Sequence, residues 1–153
     1  MPLTFATLYP EEAQRTVEWE SFYAPFDYAP ILTAIGEERG ATIALQVDDG
    51  DYQGDSRVLY AAGDTYGYLN FGWGSCSGCD ALQGCSSPAD VDQLASGMAQ
   101  EVRWGTKAEM GAFFRDHDWK GDYHWHSKEM RRFIREACTI LGVDAPALEE
   151  GDR

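Results

Sequence analysis

Apolar and polar residues alternate over residues 41–47, placing Ile43, Leu45 and Val47 on one side, and this predicts a β-strand. The same period of two returns over 57–62 and 66–73, where Leu69, Phe71 and Trp73 share a face. Gly63-Asp64 between those runs predicts a hairpin. Past residue 87 the period lengthens to that of a helix. Val91, Leu94, Ala95, Met98 and Val102 form one stripe, and Met110, Phe113 and Phe114 a second. Met130, Phe133, Ile134, Ala137, Cys138 and Leu141 form the third. Each stripe follows a start signal: Ser87-Pro88 with Asp90, Thr106 with Glu109, and Ser127. Gly142 closes the last helix, with Pro146 beyond it.

Ahead of the strands, Tyr9-Pro10-Glu11-Glu12 predicts a helix start, with proline at the first helical position and acids near the positive end of the dipole. That helix runs to about Trp19. Residues 21–30 carry two prolines and four aromatic rings, which predicts an irregular connection with packing anchors. A short helix follows over 31–39, ended by Gly40. Asp48-Asp49-Gly50-Asp51 reads as a turn, prolonged by residues 52–55. Strands grouped ahead of helices predict an α+β fold. Its expected form is a small antiparallel meander of about three strands, packed by an N-terminal helix and three C-terminal helices. A single domain is expected over 1–148, with a frayed acidic tail at 149–153.

The 153 residues suffice for one core, and their 44% hydrophobic and 13% aromatic content excludes a disordered chain. No apolar run nears the roughly 18 residues that a membrane helix needs, so no membrane association is expected. The opening MPLTFATLYPEE has neither a basic n-region nor an apolar h-region. The expected location is cytoplasmic, meaning the host cytoplasm if the chain is phage-encoded.

Charge sharpens the picture. Twelve basic against 26 acidic residues give a net charge of −14, which argues against direct binding of nucleic acid. Residues 1–75 hold 12 acids and 3 bases, whereas residues 103–135 hold 8 bases and 5 acids. Such polarity favours oriented docking on a protein partner with a basic surface. Asp48, Asp49, Asp51 and Asp55 are the candidate partner-binding residues, as four carboxylates gathered in one expected turn. A solvated acidic loop is the plainer reading of the same residues.

Two clusters carry chemistry. Cys76-Ser77-Gly78-Cys79 can fold as a knuckle aiming two thiolates at one metal, with Cys85 as a third sulfur. With His124 these residues are the candidate ligands of a structural zinc; Cys138, His117 and His126 are the other available fourth ligands. In the competing readings the thiols are reduced and the glycines shape a tight turn, or the pair is a redox dithiol. A redox pair normally lies between a strand and a helix of a βαβ unit, and here a hairpin precedes it. A structural disulfide is not expected without export signals. The second cluster, residues 116–126, gathers His117, His124 and His126 with Asp116, Asp118 and Asp122. It can serve as a metal site or a general base, or as a solvated connection anchored by Trp119, Tyr123 and Trp125. A thiol nucleophile formed by Cys76 or Cys79 with His124 is a further option.

The run YGYLNFGWGSCSGCDALQG at 66–84, with the Tyr52–Asp55 turn ahead of it, resembles a motif in small uncharacterised proteins of actinobacterial phages and their hosts. The resemblance spans roughly residues 50–142. It implies a phage or prophage setting and no activity, cofactor or site residue. No P-loop, dinucleotide fingerprint, nucleophile elbow, HExxH or calcium loop occurs. The leading expectation is a non-enzymatic acidic interaction protein, a phage-encoded modulator or inhibitor of an intracellular host protein, with mimicry of nucleic-acid charge as one mode. The alternatives are a metal- or cysteine-dependent enzyme using the Cys76/Cys79 loop and the His117/His124/His126 cluster, and a minor structural component of a phage particle.

Overall fold

A computed structural model describes residues 2–50, 53–122 and 127–148. The chain runs through α1 (Phe5–Leu8), α2 (Pro10–Glu18) and α3 (Ala29–Glu37), then strands β1 (Thr42–Gly50), β2 (Gly54–Ala62) and β3 (Thr65–Trp73). After the cysteine loop come α4 (Pro88–Glu101), β4 (Arg103–Thr106), α5 (Lys107–Asp116) and α6 (Lys128–Leu141). The strands form one antiparallel sheet in the order β1-β2-β3-β4. The fold is therefore α+β, as expected, with four strands rather than three.

The fourth strand escapes the sequence pattern because it has four residues and leads straight into the cap of α5. It pairs with the start of β3, where Gly67 lies opposite Trp104. A Cβ at position 67 would sit 2.7 Å from the Trp104 ring, so only glycine lets the indole lie across the strand. The ring thereby reaches Tyr60, at 5.6 Å between centroids, and the Arg39 guanidinium lies over it at 4.8 Å.

Strand β2 is central, and Ser56, Arg57, Val58, Leu59 and Tyr60 are all buried. Side chains alternate across a strand, so β2 feeds two separate cores. On one side Val58, Tyr60 and Leu69 pack with Phe5, Leu8, Ile31, Leu32, Ile35 and the Val91–Met98 stripe of α4. On the other side Val47 and Leu59 pack with Met110, Phe114, Trp119 and the α6 stripe from Met130 to Leu141. The Tyr60 hydroxyl donates to the Leu32 carbonyl at 2.7 Å and ties α3 to the sheet. Phe71, which shares a face with the buried Leu69, is only half-buried: it lies near the sheet's end and stacks on Tyr28 at 4.9 Å.

The helix boundaries follow their caps. The Ser87 side chain accepts from the Asp90 N–H, Ser127 from the Met130 N–H, and Thr106 and Glu109 close a reciprocal capping box. Gly142 ends α6 in the left-handed conformation, with φ of 73°. The acidic turn is the main correction to the expected outline. Asp48 and Asp49 lie within β1, which extends to Gly50, and Asp55 lies within β2.

The burial of β2 sets the cost of truncation. Leu59→Ala should destabilise by about 2–5 kcal/mol in urea unfolding, as buried leucine deletions do. Phe71→Ala, at a half-buried ring, should fall within about 0.5–3 kcal/mol. An equal or larger loss at Phe71 would place the core nearer the sheet's end than the fold has it.

Candidate functional site

The sheet's pleat divides the expected acidic group. Asp48 pairs across with Ser56, and Asp49 with Asp55, so the adjacent aspartates point to opposite faces. Asp51 lies outside the described residues. Asp48 keeps the company of Ser56, whose hydroxyl donates to its Oδ1 at 2.6 Å, and of Gln46, whose amide donates at 3.2 Å. Asp55 joins the Arg57 face instead.

Asp48 and Ser56 form part of the wall of a cleft of about 280 Å³. Four aromatic residues line it: Phe26 and Tyr28 from the connection between α2 and α3, and Phe71 and Trp73 from the end of β3. Asp27 and Asp80 add two further carboxylates. Among the described lining residues there is no lysine, arginine or histidine. The Tyr28 hydroxyl donates to Asp80 and accepts from the Leu82 N–H at 3.1 Å. Burial holds that phenol well above its ordinary pKa, with the Asp80 hydrogen bond adding to the rise. Asp80 is itself buried, and its second oxygen accepts from the Gln83 N–H at 3.3 Å. Phe26 stands at the other extreme, 65% exposed. The indole N–H of Trp73 is covered and has no acceptor among the described residues. The cleft thus has a fixed acidic floor, aromatic walls and one ring at its rim.

The prolines of the 21–30 connection announced these anchors, because an irregular segment rich in rings must set them against something. What sequence reasoning missed is their meeting with Asp48 and Asp80. That meeting depends on the β1–β2 register and on the fold of the cysteine loop.

The cysteine loop closes beside this cleft. Cys76 and Cys79 are joined as a disulfide, with their Cα atoms 5.3 Å apart. The expectation of no disulfide is overturned at this pair, because a two-residue spacer folded as a tight turn brings the Cα atoms within bridging range. The Cys76 N–H also points at Cys79 Sγ, at 3.0 Å. A Cβ at position 74 would come within 2.5 Å of the Cys79 carbonyl oxygen, so Gly74 is required for the loop to fold back. The Gln83 amide then donates to the Gly74 carbonyl at 2.9 Å.

In this state Cys76 and Cys79 carry no thiolate, and a zinc knuckle with Cys85 and His124 would need the reduced pair. Cys85 is a half-buried free thiol whose Sγ points at the Ala81 carbonyl. Burial, with Asp90 and Asp80 nearby, raises its pKa. Cys138 is buried on the α6 stripe, and burial pushes its thiol up to about 11. Among the described residues no three metal-ligating side chains converge. His124 and His126 lie outside the described residues. His117 lies on the far face of the sheet, its Nε2 3.2 Å from Asp122 Oδ1 and its ring 4.4 Å from that of Trp119.

Comparison with protein-family models, with curated proteins and with solved structures finds no match to this chain.

The thiol arrangement is open to direct check. In the native, unreduced protein, alkylation read by peptide mass spectrometry should label Cys85 alone, and faster only as pH rises past the ordinary thiol range. A thiol reductant should add Cys76 and Cys79, and Cys138 should react only on unfolding. Labelling of Cys76 or Cys79 without reductant would show the open dithiol that a zinc knuckle needs.

Proposed function

We propose that the protein is a non-enzymatic acidic binding module that docks on a basic protein partner, taking a cationic side chain of that partner into the aromatic–acidic cleft. The observation that carries this reading is the lining itself. Phe26, Tyr28, Phe71 and Trp73 surround a space that also receives Asp27, Asp48 and Asp80, with no cation among the described lining residues. Arginine suits such a site, since its planar guanidinium stacks on rings and forks onto carboxylates. Each ring–cation contact contributes roughly 0.5–2 kcal/mol, the upper end when water is excluded.

The wider charge supports the same direction. The net charge of −14 draws a basic partner in, and the first 75 residues, which hold most of the cleft, carry 12 acids and 3 bases. The resemblance of residues 66–84 to proteins of actinobacterial phages makes a host protein the partner in this reading, with the chain acting as a modulator inside the host cytoplasm. The acidic docking residue carried forward from the sequence is Asp48, acting with rings rather than with Asp49, Asp51 and Asp55 as one patch.

An arginine-rich peptide should bind the purified protein, and a glutamine-substituted peptide of the same length should not. Its association rate should fall as salt shortens the Debye length below about 10 Å. Asp48→Asn keeps an acceptor for Ser56, and Phe26 is exposed, so Asp48→Asn and Phe26→Ala should each leave stability within about 0.5 kcal/mol. Each should weaken the peptide by about 1–2 kcal/mol, roughly five- to thirtyfold. Salt-insensitive binding, or unchanged affinity in the double variant, would overturn the reading.

A further inference from the structure

The opposite face of the sheet holds a feature that packing alone does not call for. Arg57 sits in the middle of the central strand, between Val47 on β1 and Asn70 on β3. Its side chain is only 2% exposed. The guanidinium Nε and Nη1 are covered, and neither has a hydrogen-bond partner among the described residues. A buried guanidinium is tolerated when its charge and its N–H groups are met. A leucine would fill a strand position between two cores without that demand.

Arg57 forms part of the wall of a cleft of about 540 Å³, large enough for a small organic molecule. Tyr68 and Asn70 extend the wall along β3, and Phe113, His117 and Trp119 close it from α5 and the turn that follows. Tyr68 is packed among rings, with Phe114 at 5.2 Å and Phe133 at 5.7 Å. Burial pushes its hydroxyl up to about 12 while the neighbouring Arg57 charge pulls the other way, so the phenol stays neutral beside the guanidinium. Trp119 is fixed in place, its indole N–H donating to the Phe114 carbonyl at 2.8 Å.

Two carboxylates, Asp55 and Asp122, also line this cleft. Asp122 is 3.2 Å from His117 Nε2. Their negative charge works against a multiply charged anion such as phosphate and is far less unfavourable to a singly charged one. The guanidinium charge attracts a carboxylate, the Asn70 amide can donate to it, and the Phe113 and Trp119 rings match an apolar body behind it. We propose that this cleft is a binding site for a small monocarboxylate with an apolar or aromatic body, its carboxylate drawn to the Arg57 charge and hydrogen-bonded by the exposed Asn70 amide beside it, and its body set against Phe113 and Trp119. The site faces away from the aromatic–acidic cleft and does not depend on the reading given to it.

Proton–nitrogen correlation spectra of the labelled full chain test the proposal with three probes: phenylacetate, phenethylamine and inorganic phosphate. Phenylacetate should shift the Arg57 Nε–H and Trp119 indole resonances in a saturable way. Phenethylamine, which has a similar body without the carboxylate, should leave them in place, and phosphate should bind at least tenfold more weakly. Arg57→Met should abolish the phenylacetate response. Because that variant alters a buried position, Asn70→Leu serves beside it: it changes an exposed wall residue and should weaken phenylacetate at least tenfold in a folded protein. The proposal fails if phenylacetate gives no saturable shift, if phenethylamine or phosphate matches it, or if a folded Arg57→Met or Asn70→Leu variant binds it unchanged.

Discussion

A strand buried on both faces is the constraint on which the rest of this molecule depends. From Ser56 to Tyr60 every residue of β2 is buried, so each successive side chain belongs to a different core. Neither core can form without a helical layer, and two layers are needed. The N-terminal elements and α4 cover Val58 and Tyr60, while α5 and α6 cover Leu59. The Tyr60 hydroxyl on the Leu32 carbonyl and the Trp104 ring over Gly67 lock the first layer in place.

The two clefts are consequences of that arrangement. Both open where β2 begins and β3 ends. At this point the strand carries Ser56 to one side and Arg57 to the other. Ser56 serves the acidic cleft by donating to Asp48, and Arg57 supplies the one guanidinium among the described lining residues of the opposite cleft. An acidic cleft and a buried cation thus occupy the same stretch of sheet without meeting.

Much of the outline was legible in the chain because it rests on local chemistry. The caps at Ser87, Thr106 and Ser127, the Gly63-Asp64 turn and the α6 stripe each depend on neighbours within a few residues. The parts that stayed hidden depend on pairing across the sheet. Asp48 and Asp49 look like a turn because acids and glycine dominate there, yet register with Ser56 and Asp55 draws them into β1. Arg57 looks like the polar start of a strand, since a run buried on both faces loses the alternation that would mark its sides. The disulfide depends on how Gly74 lets the loop close, and the cleft at Phe26 on where a proline-rich connection comes to rest. A four-residue edge strand such as β4 has too few positions to display a period.

Native-state hydrogen exchange tests the two-sided strand most directly. If β2 unites both layers, the amides of Val58, Leu59 and Tyr60 exchange only through global unfolding, and those of Ala95 in α4 and Ile134 in α6 share the same opening free energy. A layer that opens at a clearly lower free energy while β2 stays protected would contradict this dependence, as would β2 amides that exchange ahead of either helix.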